Sequence, residues 1–371
     1  MQWSAIDQQF MQQALQLAQQ GRFTTAPNPN VGAVVVLDGK VVGQGYHHQA
    51  GQPHAEVYAL REAGSKALGA TCYVTLEPCS HYGRTGPCAL ALVDAGVSRV
   101  VVAMLDPNPL VAGKGVAILQ QAGIEVHVGL YQREARALNP GFLSRMERQR
   151  PWLRLKLACS LDGAIALANG ESQWLTGPEA RADVQLERAA SHAILSTAAT
   201  VLQDQAWLTV RAETAEITPL LDGTVRQPVR IILDRQLKLT GQELLFQFGG
   251  PIWLVHSDQI HAPEGNALVR YLAVPELDGQ LDLQLLLRLL AEQQINDLWV
   301  EAGATLASSL WQQQLVDELI VYQAPLLLGA GSQPLLHVAS LSRLADAPRW
   351  QWQQAQCLGP DVKLRACLQE P

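Results

Sequence analysis

The run His54-Ala55-Glu56, followed by Pro78-Cys79 and then Cys88, constrains this chain more than any other feature. If these side chains act together, the fold must bring one histidine and two cysteines from three segments to a single point. A zinc held by three N/S ligands keeps a fourth position open for water, which is the layout of a catalytic site. Bound zinc lowers the pKa of such a water to about 7. Glu56 is then free to act as a proton shuttle. Two other readings remain open. Cysteines at this spacing also suit ordinary buried thiols, and a fourth ligand from His81 would close the site into a structural one. His47 and His48, near the end of a strand-like run, suit a pocket or a surface equally.

The zinc nucleobase deaminases combine an H-x-E segment, a P-C segment and a glutamate that is not a ligand. Their common pattern puts two residues between the cysteines, whereas here the insert runs from Ser80 to Pro87. The spacing works if the insert loops out and Cys88 returns at the start of a helix over 89–96, where the helix N-terminus favours its thiolate. His81 and Arg84 within the insert are placed to reach an anionic substrate.

Composition excludes several classes. A net charge of -7 leaves no global basic field for nucleic acid. Six cysteines in 371 residues do not form a disulfide framework. Cys72, Cys159, Cys357 and Cys367 read as reduced and mostly buried, which suits a cytoplasmic protein. The N-terminus lacks the basic start and apolar stretch of a secretion signal. Instead Ile6, Phe10, Ala14 and Leu17 share one helical face. No apolar run approaches a membrane span.

The length suits two domains, and an α/β pattern starts twice. In the first half, Ala26 to Asn30 reads as a rigid turn. Val31–Leu37 and Val41–Tyr46 read as strands joined by an Asp38-Gly39 turn. His54–Ala63 reads as a helix, and strands are expected at 72–76, 97–104 and 125–129. Asp106 to Pro109 and Ala112 to Gly115 follow as an anion-binding or plain surface turn. The domain boundary is placed in residues 131–150, whose five arginines end at Pro151 and suit a solvated linker face or a functional surface equally. The expected domains are 1–149 and 150–371. The second half opens with an alternating strand over 152–158. Strands follow at 193–195, 229–233, 252–255, 298–300 and 319–323, with helices at 184–190 and 283–293. Glu301-Ala302-Gly303-Ala304 reads as a small-residue turn into a helix, able to cradle phosphate or to stand as a plain tight turn.

The two halves together resemble the bifunctional deaminase/reductase family of riboflavin biosynthesis. The likeness rests on Pro27 to Gly32, His54-Ala55-Glu56, Glu77 to Cys88, Asp106 to Pro109, Lys156 to Gly163, Glu171 to Thr176, Asp204, Leu208 to Arg211 and Val300 to Gly303. The long insert between the cysteines is a mark of this family. Gly86 departs from the proline often found there.

The resemblance implies a cytidine-deaminase-like three-layer first domain and a dihydrofolate-reductase-like second domain. The first would deaminate a diamino-hydroxy-phosphoribosylamino-pyrimidine. The second would reduce the ribosyl group of the product to a ribityl chain with NADPH. His54, Cys79 and Cys88 would hold Zn2+, Glu56 would move protons and Asn28 would contact the pyrimidine. Ser172, Arg188, Leu208, Arg211 and Glu301 would bind the reductase substrate, with Lys156 polarising the ribose C1 end and Glu301 as a partner for that lysine. Ala158, Trp174, Thr200, Asp204 and the turn Gly303, Ala304, Thr305, Leu306 would bind the nucleotide. Arg188 and Arg211 suit a phosphate, although a surface ion pair accounts for either equally well. A small-molecule partner is expected, with no nucleic acid or membrane, in a homo-oligomer.

Overall fold

The computed structural model describes residues 3–81, 86–109, 111–338, 340 and 342–368. The chain divides into two compact units, Met1–Gln149 with Thr218–Thr224, and Arg150–Ile217 with Val225–Pro371. The short segment 218–224 groups with the first unit.

The first unit runs α1 (Ala5–Gln19), β1 (Gly32–Leu37), β2 (Lys40–Tyr46), α2 (Ala55–Ala63), β3 (Thr71–Val74), α3 (Cys88–Asp94), β4 (Arg99–Val102), α4 (Lys114–Gln121), β5 (Glu125–Val128), α5 (Gln132–Leu138) and α6 (Pro140–Arg148). Ser4 and Asp7 form a capping box that starts α1. Asp38 and Gly39 both take positive φ, 50° and 71°, as a type I′ hairpin turn requires between β1 and β2. The five strands lie in the order β2-β1-β3-β4-β5, antiparallel up to β3 and parallel beyond it.

Alternation along β1 divides the core into two layers. Ala33 and Val35 pack with Ala55, Ala59 and Ala63 of α2 on one face. Val34 and Val36 pack with Phe10, Met11 and Ala14 of α1 on the other. Helices cover both faces, giving three layers. The expected linker over 131–150 is instead two helices. Ala135, Phe142 and Leu143 are buried in the α1-side core, while arginines occupy the other faces of α5 and α6. The charge run hid an amphipathic pattern.

The second unit has the helices α7 (Pro178–Ala190), α8 (Ala198–Asp204), α9 (Leu244–Gln247), α10 (Leu283–Glu292) and α11 (Ala304–Gln312). Its strands are β6 (Trp152–Cys159), β7 (Ala164–Ala166), β8 (Ala193–Thr197), β9 (Val229–Leu233), β10 (Ile252–Ser257), β11 (Val269–Val274), β12 (Glu276–Leu277), β13 (Gln280–Leu281), β14 (Asp297–Glu301), β15 (Glu318–Gln323), β16 (Gln333–Pro334), β17 (Trp350–Leu358) and β18 (Asp361–Leu368). Nine of these form a sheet in the order β11-β10-β9-β8-β14-β6-β15-β18-β17. Strands from β11 to β15 are parallel, and the β17–β18 hairpin closes one side antiparallel.

Central β6 again alternates. Leu153, Leu155 and Leu157 face the core built with α10 and α11. Arg154, Lys156 and Ala158 face the opposite side, where α7 and α8 pack. Among the described residues no helix is long and apolar enough to cross a membrane.

Candidate functional sites

In the first unit, three elements deliver one cluster. His54 is the extended N-cap of α2. Cys79 follows β3, and Cys88 is the first residue of α3. His54 Nδ1 lies 3.3 Å from Cys88 Sγ and 3.5 Å from Cys79 Sγ, and the three donor atoms all lie within 4.8 Å of one another. A tetrahedral zinc with the usual Zn–N and Zn–S lengths sets such atoms about 3.6 Å apart, so the donor set fits that ion. His81 is exposed and is not among the described metal-binding cluster. Arg84 lies outside the described residues.

The α3 N-terminus acts on Cys79. The Cys88 amide donates to Cys79 Sγ at 3.3 Å. Hydrogen bonds from Cys88 and His54 hold the Cys79 thiol down at about 4, against the pull of burial. The Cys88 thiol is pushed up by sharing its proton with Cys79, and further by burial. The amide at the start of α3 thus serves Cys79. Glu56, in the first turn of α2, is buried, and burial raises its carboxyl to about 7.

Asn28 stands on a loop fastened at its far end by α6. Asn139 accepts from Asn30 N at 2.7 Å and donates to Asn30 O at 2.9 Å. Asn28 Nδ2 donates to His47 Nε2 at 3.0 Å, and His47 Nδ1 donates to the Pro53 carbonyl at 3.0 Å. His47 is buried, which lowers its pKa. That suits the neutral tautomer these two bonds require. Its ring meets the His54 ring edge-on at 5.4 Å, so His47 belongs to the site. His48 instead stacks on Tyr46 and Tyr58.

In the second unit a cavity of about 460 Å³ opens at the C-terminal ends of parallel strands, where α/β sheets usually bind ligands. Lys156, Ala158, Ser172, Trp174, Arg188, Thr200, Asp204, Leu208, Arg211, Glu301 and Gly303 all line it. Ala304, Thr305 and Leu306 do not. They form the first turn of α11, where the Leu306 side chain is buried in the core and Thr305 is exposed.

The cavity charges are paired unevenly. Arg188 is bound to Glu301 through two hydrogen bonds and donates to the Thr209 carbonyl at 2.8 Å. The sequence left this guanidinium open to a phosphate or to an ion pair, and within the protein it pairs with Glu301. Burial alone would raise the Glu301 carboxyl; Arg188, then Lys156 and the Trp299 indole, reverse that and hold it at about 2. Burial lowers the Lys156 pKa, with Glu301 opposing. Arg211 is exposed at the cavity rim, its backbone amide held by Gln185 Oε1 at 3.0 Å.

Sequence reasoning missed Arg181, which stacks over Trp174 at 4.9 Å and donates to Thr176 O. It also missed Tyr322, whose ring lies 6.0 Å from Lys156 Nζ. Arg181, Gln185 and Arg188 fall at helical spacing on α7, a face that could have been read.

Residues 4–104 match the cytidine and deoxycytidylate deaminase zinc-binding region, and residues 151–364 match the RibD C-terminal domain. The riboflavin biosynthesis protein RibD of Escherichia coli K12 is 55% identical, over 96% of this chain and 98% of its own length. RibD of Acinetobacter baumannii has a similar structure, with TM-score 0.89, 45% identity and coverage of 98% and 99%. The diaminohydroxyphosphoribosylaminopyrimidine deaminase/5-amino-6-(5-phosphoribosylamino)uracil reductase of Thermotoga maritima is also similar, with TM-score 0.84, 32% identity and coverage of 98% and 99%.

Proposed function

The chain belongs to the RibD family of bifunctional riboflavin-biosynthesis deaminase/reductases, and from that premise we propose how its own residues divide the work. The substrate is the diamino-hydroxy-phosphoribosylamino-pyrimidine. The observation that carries the reading is the convergence of His54, Cys79 and Cys88, with Glu56 buried two residues after His54 in the first turn of α2.

His54, Cys79 and Cys88 hold Zn2+, which when bound supplies an activated water at neutral pH. Glu56 carries a proton to the pyrimidine ring nitrogen and a second to the departing amine. Its burial in the first turn of α2, two residues after the ligand His54, places the carboxyl for this proton traffic. Asn28, fixed by neutral His47, orients the pyrimidine.

In the second unit NADPH supplies a hydride when bound. Ala158, Trp174, Thr200, Asp204 and the backbone of Gly303, Ala304, Thr305 and Leu306 position it. Ser172, Leu208, Arg211 and Glu301 hold the ribosyl product, with Arg211 as the cation for its phosphate. Lys156 stands at the ribose C1 end and stabilises the charge that develops there. Arg188 holds the Glu301 carboxylate in place. The residues act by placing the reactants and matching their charge.

The two activities divide at 1–149 and 150–371, in a cytoplasmic homo-oligomer. Incubation with the phosphoribosyl diaminopyrimidine, with and without NADPH, tests the reading. Ammonia should appear in both cases, and NADPH absorbance should fall only after deamination. Absence of ammonia from zinc-loaded protein would overturn it.

A further inference from the structure

Glu77 is a buried carboxylate to which the deaminase chemistry gives no task. It sits two residues before the ligand Cys79, and both of its oxygens bond backbone amides of α4 and the loop ahead of it. Oε2 accepts from Gly113 N at 2.9 Å and from Asp106 N at 3.2 Å. Oε1 accepts from Val116 N at 3.2 Å. One side chain thus gathers three backbone amides from residues 106–116. Two of them belong to the start of α4, where a negative charge is favoured. The Glu77 amide is itself tied to Met104 O at 3.0 Å.

The next residue is fixed from the same side. A Cβ at Gly115 would lie 1.9 Å from Pro78 O and 3.2 Å from Glu77 Oε1, so α4 presses directly on the Pro78 backbone and the Glu77 carboxylate. Beyond it, Cys79 O accepts from Ala89 N at 3.2 Å, and Cys79 Sγ accepts from Cys88 N. Cys79 is therefore suspended between two helices. The α3 end is held by hydrogen bonds to Cys79 itself, and the α4 end by Glu77.

Resting on the deaminase reading, we propose that Glu77 is a positioning residue for the metal site: its three amide bonds anchor the Pro78-Cys79 turn to α4 and so set where the Cys79 sulfur stands. Outer partners of metal ligands typically change metal affinity by about 10–100-fold when replaced. Glu77→Gln keeps the shape but turns one acceptor oxygen into a donor facing an amide.

The test uses the full chain loaded with zinc or with cobalt(II). Zinc affinity is measured by competition with a chromogenic chelator, cobalt–thiolate absorption reports the ligand geometry, and ammonia release gives kcat and KM separately. Glu77→Gln should bind zinc about 10–100-fold more weakly, shift the cobalt band and lower kcat with little change in KM. Parental zinc affinity and an unchanged cobalt band would overturn the proposal, even if the variant melts earlier. If Glu77→Gln does not fold, Glu77→Asp decides by the same readings, because its carboxylate is drawn back by one methylene and cannot reach all three amides. Cys88→Ala serves as the control: full zinc in that variant would overturn the zinc reading itself, and reduced zinc there beside parental behaviour of the Glu77 variants would overturn only the role of Glu77.

Discussion

Arg188 and Glu301 meet as a bidentate ion pair in the wall of the reductase cavity, with Nε to Oε1 at 2.6 Å and Nη2 to Oε2 at 2.9 Å. The Trp299 indole adds a third bond to Oε1 at 2.8 Å. The carboxylate thereby faces Lys156 in one fixed orientation. A glutamine at 301 would keep the size but leave Arg188 without its counter-charge. Removing one partner of a buried pair costs about 3–5 kcal/mol. Glu301→Gln should therefore lower the stability of the second unit in urea titrations and abolish most reductase turnover. Ammonia release should be unchanged. Parental reductase activity in that variant would remove Glu301 from the substrate site.

The deaminase assignments separate metal binding from proton transfer. Cys88→Ala should lose most of its zinc by elemental analysis, because only His54 and Cys79 remain of the cluster. Glu56→Gln should keep its zinc and its fold while ammonia release falls about 10²–10⁴-fold. Rapid deamination by the Glu56 variant would assign the proton shuttle to another group.

How much of this was legible in the sequence depended on the range of the interaction. His54 as a helix start, Cys88 after a looped insert and the alternating strand from Trp152 are local signals, and each follows from residue order. Arg188 and Glu301 are 113 positions apart, so only the fold could reveal that the guanidinium is taken. The same holds for Asn139, which clamps the Asn28 loop across 109 positions. In α5 and α6 the arginines masked a short apolar stripe, and the segment read as linker. The β17–β18 hairpin gave no signal that was recognised: β17 is almost wholly exposed and carries glutamines rather than an apolar alternation.

A buried ion network lies behind the reductase cavity and sets its acid limit. Glu187 takes Arg154 Nη1 at 2.6 Å and Lys363 Nζ at 2.7 Å. Lys363 also holds Asp183 at 2.6 Å, which accepts from the Tyr322 hydroxyl at 2.6 Å. Burial works to raise the Glu187 carboxyl; Arg154, Lys363 and Arg365 overcome it and bring it to about 2, from 4.5. A carboxyl with a lowered folded-state pKa stabilises the fold above 4.5 and loses that contribution as pH falls toward 2. Tryptophan fluorescence in urea should show the second unit weakening across that window. Glu187→Gln should make the dependence shallower, since it removes one of the titrating groups and leaves Glu301. An equally steep acid dependence in the variant would place the sensitive group elsewhere.

Gly303 tests the cofactor side of the cavity with little risk to the fold. It is the N-cap of α11, with φ at -71° and ψ at 175°, a conformation open to any residue. A Cβ built there meets nothing within 4 Å, although the residue lines the cavity. The glycine is thus not needed by its own backbone or by its protein neighbours. Its bare Cα leaves the amides at the start of α11 open to an approaching phosphate. Gly303→Val should therefore fold with parental stability and deaminate normally, while NADPH binding weakens and reductase turnover falls. Fluorescence titration with NADPH separates the two effects. A parental dissociation constant in the folded variant would show that the nucleotide does not use this turn, and its phosphates would have to be sought elsewhere on the cavity wall.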